Sequence, residues 1–140
     1  MKKFLILLCS FYFTMNNICL PQEKVIKVTV PSPSYEDCLK IAEESNKKIF
    51  LLFYGEYCGP CNKMKEELMK PEVLSILDAN YVVCYVDLVE QKALAKKYKV
   101  RSVPNFFIID HNEKIIKNDS GFKDANYMAK WMTKSVLIRD

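Results

Sequence analysis

An α/β sandwich, with a mixed central sheet flanked by helices on both faces, is the architecture expected of this 140-residue chain. Short β-branched or apolar runs of strand length recur along it, and amphipathic stretches with apolar residues three to four positions apart lie between them. One run, Ile49 to Tyr54, is apolar at every position, the pattern of a strand covered on both sides. No repeat, linker or low-complexity tract divides the sequence. A unit of about 120 residues buries an ordinary core unaided, so residues 21–140 are expected to form one domain.

Val25 to Val30 (VIKVTV) alternates apolar and polar residues and is expected to be the first strand, ended by Pro31 and Pro33. Ser34 stands at a helix N-cap position. Tyr35, Cys38, Leu39 and Ala42 then recur at helical spacing, which predicts a helix over 34–46 with Cys38 on its apolar face and a turn at Asn46. Ile49 to Tyr54 follows as the second strand. Cys61, Met64 and Leu68 define a helix to Lys70, which Pro71 should kink or interrupt before Val73, Ile76 and Leu77 continue the spacing. Tyr81 to Asp87 (YVVCYVD) is the third strand, residues 90–98 the next helix, and Phe106 to Ile109 the fourth strand. Asp110 to Glu113 makes a turn, Lys114 to Lys117 returns as a short edge strand, and residues 124–137 form a last helix on Tyr127, Met128, Trp131 and Met132.

Lys2 and Lys3 precede Phe4 to Met15, a nearly unbroken apolar run, so residues 1–20 are expected to be a secretory signal peptide. The run is shorter than the ~20 residues that cross a bilayer. Asn16, Asn17, Ile18 and Cys19 provide no clean small-residue cleavage site, and the alternatives are an uncleaved anchor or a lipid on Cys19. The formal charge of +4 includes Lys2 and Lys3. The body lysines are interleaved with Asp and Glu and no aromatic-basic stripe accompanies them, which argues against nucleic acid as a partner.

Export makes disulfides persistent. Beyond Cys9 and Cys19, which fall in the leader, the chain has Cys38, Cys58, Cys61 and Cys84. Cys58-Gly59-Pro60-Cys61 sits at the junction of a buried strand and a helix, the context of a redox CxxC. Cys58 falls at the helix start, where unpaired N–H groups and the peptide dipoles favour a thiolate over a thiol. It is the expected nucleophile, and Cys61, one turn later, the resolving cysteine that closes the ring. Pro60 suits the first helical turn, and Gly59 lets a partner's backbone come close. The bland reading is an inert structural disulfide. A zinc site would need further ligands, and the single His111 lies in a turn; residue 62 is Asn, so the CxxCH of covalent haem attachment is missing. No metal or cofactor is expected.

These residues resemble the thioredoxin superfamily over roughly residues 25–137. The resemblance rests on FLLFYGEY leading into CGPC, a helix with a proline break, a strand ending in Val86-Asp87, and Val103-Pro104 ahead of FFIID. It is closest to exported thioredoxin-like proteins whose active-site helix runs into a Pro-Glu-Val segment, here Pro71, Glu72 and Val73. It implies a thioredoxin-like fold, a cis bond at Pro104, and a groove at Val103 and Pro104 where substrate backbone pairs as an added strand. It also implies a substrate contact at Tyr57, which stands where the family commonly has tryptophan, and a match of Gly121 to the glycine before the last helix. The family's buried aspartate six residues before the first cysteine is replaced by Leu52, and its lysine partner is absent from Tyr81-Val82-Val83-Cys84. Proton transfer then falls to water or to Glu56.

The function this implies is a thiol-disulfide oxidoreductase outside the cytoplasm that reduces protein disulfides through a Cys58-Cys61 pair, acts as a monomer and draws electrons from a membrane donor. The alternatives are an oxidase or isomerase of the same fold, a non-catalytic binding module or chaperone, and a metal carrier. Cys38 and Cys84 are either inert core thiols or a second disulfide.

Overall fold

The computed structural model describes residues 32–138. The expected strand at 25–30 and the leader at 1–20 lie outside them. Ser34 caps α1 (Tyr35–Ser45), its hydroxyl accepting from the Asp37 N–H at 3.1 Å, and Asn46 ends the helix in the left-handed region. The chain then runs through β1 (Lys48–Tyr54), α2 (Gly59–Leu68), α3 (Pro71–Asn80), β2 (Tyr81–Asp87), α4 (Lys92–Lys97), β3 (Asn105–Ile109), β4 (Ile115–Ser120) and α5 (Ala125–Val136). The sheet order is β2-β1-β3-β4, with β1 parallel to β2 and the other pairs antiparallel.

The unbroken apolar run of β1 serves two cores, because successive side chains point to opposite faces. Ile49, Leu51 and Phe53 join Cys38, Cys84, Tyr98 and Phe107 beneath α1 and α4. Phe50 and Leu52 join Met64, Leu68, Phe106, Met128 and Trp131 beneath α2, α3 and α5. Helices on both faces of a mixed sheet are therefore what the side chains demand.

The elements depart from expectation in three places, each for a local reason. The long helix is two helices: Lys70, forced out of the helical region by the ring of Pro71, has ψ of 141°, and Pro71 opens α3. The helix expected over 90–98 shrinks to Lys92–Lys97, since the Asp87 carboxylate accepts from the Val89 and Glu90 N–H groups at 2.7 and 3.2 Å and holds a turn ahead of it. The edge strand expected at 114–117 extends to Ser120, because its backbone pairs along β3 as far as Asn105 and polar side chains are tolerated on a solvated edge. Among the described residues, no helix is long and apolar enough to cross a membrane.

Candidate functional site

β1 delivers the chain to the carboxyl edge of the sheet at Tyr54, and residues 55–57 turn it into α2. The turn is closed by the Cys58 N–H donating to the Gly55 carbonyl at 3.2 Å. Cys58 is the N-cap of α2 in extended conformation, Pro60 lies in the first turn, and the Cys58 sulfur accepts from the Cys61 N–H at 3.2 Å. A sulfur thus occupies the place that a Ser or Asp oxygen takes in an ordinary cap. Cys58 and Cys61 are joined as a disulfide with Cα atoms 5.2 Å apart. Cys58 is half-buried, whereas Cys61 is fully buried.

The β3 end of the site comes from the other side. The carbonyl oxygen of Val103 lies 3.8 Å from Cys58 Sγ, and the Val103-Pro104 bond is cis. The carbonyl of buried Pro104 accepts from the Gly121 N–H at 2.8 Å. Gly121 follows the extended β4 with φ of +77°, in the left-handed region where glycine is unstrained. The unforeseen length of β4 is what carries Gly121 to the groove.

Tyr57 is 93 % exposed beside the disulfide, and Gly59 and Pro60 are exposed at the helix tip. A Cβ on Gly59 would meet nothing within 4 Å, so the helix tip next to Cys58 has room for a partner. The structure therefore brings Tyr57, Cys58, Gly59, Pro60, Cys61, Val103 and Pro104 to one edge. Glu56 stands exposed in the preceding turn, and His111 is exposed at the opposite end of β3.

Leu52 is fully buried among apolar neighbours, with Tyr85 and Phe106 as its partners in register on β2 and β3. A different charged group sits behind the site. The Lys65 ammonium lies 3.6 Å from the centroid of the Tyr54 ring and 5.6 Å from that of Tyr85. Burial pulls its pKa below the usual lysine value, opposed by the charge of Asp87. Burial pushes the Tyr54 and Tyr85 hydroxyls up. Sequence reasoning missed this cluster, although Lys65 follows Cys61 by four residues and so shares its side of the helix.

Cys38 and Cys84 are both free and buried. The Cys38 sulfur lies 3.7 Å from the Pro33 carbonyl oxygen. Hydrogen bonding to Cys38 and burial together hold the Cys84 thiol far above the ordinary thiol range, while the same hydrogen bond draws the Cys38 thiol below it. Of the two readings left open by the sequence, this structure has the core thiols.

Comparison with known proteins agrees with this geometry. A thioredoxin-like domain matches residues 35–135. Thioredoxin-1 of Drosophila melanogaster is 30 % identical over 93 residues, 65 % of this chain and 85 % of that protein. Protein disulfide-isomerase of Datisca glomerata is 28 % identical over 134 residues, 94 % of this chain, and the chain spans 26 % of that longer protein. The solution structure of a thioredoxin from Thermus thermophilus superposes with a TM-score of 0.68 at 23 % identity, over 74 % of this chain and 85 % of that one, which establishes the fold. With a matched domain over most of its length, the expected sheet and a CxxC disulfide at the expected helix tip, the chain belongs to the thioredoxin-like domain family.

Proposed function

We propose that the chain is a thiol-disulfide oxidoreductase, acting outside the cytoplasm to reduce protein disulfides through Cys58 and Cys61. The observation that carries this reading is the Cys58 sulfur seated as the cap of α2, accepting the Cys61 N–H at 3.2 Å next to an open helix tip at Gly59. When the pair is reduced, that hydrogen bond and the helix dipole favour a Cys58 thiolate.

The thiolate attacks one sulfur of a substrate disulfide; the substrate S–S bond breaks, its other sulfur leaves as a thiolate, and a mixed disulfide forms on Cys58. The Cys61 thiol then gives its proton to water or to Glu56 and attacks Cys58 Sγ. The mixed disulfide breaks, the Cys58–Cys61 bond closes, and two electrons have passed to the substrate. A dithiol donor at the membrane restores the pair. Substrate backbone pairs with Val103 as an added strand beside Pro104, while Tyr57, Gly59 and Pro60 form the floor beneath its disulfide. The extracytoplasmic setting is supported by the leader pattern of residues 1–20, and a monomer suffices for every step.

Replacing Cys61 by Ser removes the resolving thiol, and the expected result in cells is mixed disulfides between Cys58 and client proteins, with a membrane dithiol protein among them. The purified wild type, given dithiothreitol, is expected to precipitate the insulin B chain. Soluble insulin and no trapped clients would sink the reading in favour of a binding module. Trapped clients combined with net oxidation of reduced peptides in a glutathione buffer would reverse the direction to an oxidase or isomerase.

A further inference from the structure

The positive charge of the chain is unevenly spread, and one group of cations gathers at α4 and the residues that follow it. Lys92, Lys96, Lys99 and Arg101 are exposed around an open hollow of about 470 Å³ floored by Leu88 and Val100, and no carboxylate lines it. None of the four cations is within 4.0 Å of a carboxylate among the described residues, whereas Lys97 on the same helix pairs with Glu113.

Helix energetics account for only part of this charge. Lys96 sits in the last turn of α4, where a cation complements the dipole, but Lys92 opens the helix at the wrong end for its charge. Lys99 occupies a left-handed position with φ of 55°, where glycine would be unstrained. Nor does the hollow suit nucleic acid bases, since no aromatic side chain lines it.

Two links tie the lining of the hollow to the strand ends that carry the disulfide. The Leu88 N–H donates to the Tyr54 carbonyl at 2.9 Å, where β1 enters the active turn. Leu88 and Val103 pack on the same core, and Arg101 precedes by two residues the Val103 whose carbonyl lies 3.8 Å from Cys58 Sγ. A chain lying along Val103 therefore continues toward the cations.

We propose that this hollow docks an acidic segment flanking the disulfide of the polypeptide substrate, its carboxylates against Lys92, Lys96, Lys99 and Arg101 and an apolar side chain on Leu88 and Val100. The proposal rests on the protein-disulfide reading above and names the kind of client that reading takes.

The test uses two synthetic peptides with the same internal disulfide, one flanked by glutamates and the other by glutamines. Alongside them go hydroxyethyl disulfide as a small neutral substrate and a cysteine-free glutamate peptide for calorimetry. The variant combines Lys92→Gln, Lys96→Gln and Lys99→Asn. At low salt the wild type is expected to show a kcat/KM about ten-fold higher for the glutamate peptide, a margin that closes as salt shortens the range of the charges. The variant is expected to lose the margin while reducing hydroxyethyl disulfide at the wild-type rate. Equal rates for both peptides in the wild type, or a margin retained in the variant, overturn the proposal. If no disulfide is reduced at all, the redox reading fails instead, and the cysteine-free peptide decides the hollow. Binding to the wild type that is lost in the variant upholds acidic docking; absence of binding, or tighter binding of inorganic polyphosphate, overturns it.

Discussion

Two sulfurs one helical turn apart have unequal surroundings, and the proposed division of labour between them rests on that inequality. Cys58 is half-buried at the tip of α2 with a backbone N–H aimed at its sulfur, whereas Cys61 is fully buried against the core. After reduction, a charge on Cys58 is stabilised by that donor and by the helix dipole, while a charge on Cys61 would be stripped of water. Iodoacetamide is therefore expected to alkylate Cys58 alone in the native reduced protein. Its rate should rise through a midpoint below the ~8.5 of a free thiol. Mass mapping of the alkylated sites against pH checks this; a midpoint at the free-thiol value, or equal labelling of Cys61, would show that the helix tip confers no activation. The CxxC and its seat at the tip of α2 were legible in the sequence because a motif at a strand-helix junction is local. Lys65 behind it was not, because its partners Tyr54 and Tyr85 come from two strands that only the sheet register brings together.

β1 shows how an element can drop a charged group without losing its place in the fold. On the α2 face of β1 the apolar Phe50 and Leu52 lie between Lys48 and Tyr54 at the strand ends, and the register neighbours Tyr85 and Phe106 offer no cation. Installing a carboxylate there with Leu52→Asp buries a charge with no compensating partner. The variant is expected to lose about 3 kcal/mol or more of unfolding free energy at neutral pH, with the aspartate pKa raised. Urea unfolding at pH 7 and pH 5 measures both, since an aspartate with a raised pKa restores part of the stability at the lower pH. Unchanged unfolding would mean that water or Lys65 reaches the site. The continuous apolar run of β1 made this burial legible in the sequence, as the three-to-four-residue spacing of Tyr35, Cys38 and Ala42 did for the buried face of α1. The ends of α4 and β4 stayed hidden, since the first is set by the Asp87 side chain capping a turn and the second by backbone pairing with β3 that continues where the side chains of β4 turn polar.

Across the whole molecule, two carboxylates tie together elements that the chain places far apart. Glu67 at the end of α2 pairs with Lys70 and accepts from the Ala125 N–H at 2.7 Å, anchoring the start of α5. Glu113, in the turn before β4, pairs with Lys97 of α4 and accepts from the Tyr35 hydroxyl of α1 at 2.7 Å; that hydroxyl also bonds Tyr98 at 2.7 Å. The Lys70 and Lys97 contacts, joined by those further donors, hold both carboxyls below the usual range. A group whose folded pKa is depressed contributes stability that is complete above its unfolded value, ~4.3 for glutamate, and disappears as pH falls through the lower folded value. The urea midpoint is thus expected to hold steady from pH 7 to about 5 and to fall steeply below ~4.3. Replacing both residues by glutamine should lower the neutral-pH plateau and flatten the acid limb, because the variant has no proton to gain at either site. The Glu67–Ala125 and Glu113–Tyr35 contacts cannot be read from spacing, since each spans tens of residues and depends on how elements seat beside one another on one face of the sheet. An acid limb as steep in the double variant as in the wild type would place the acid sensitivity in other carboxylates and reduce these two contacts to surface ion pairs of little weight.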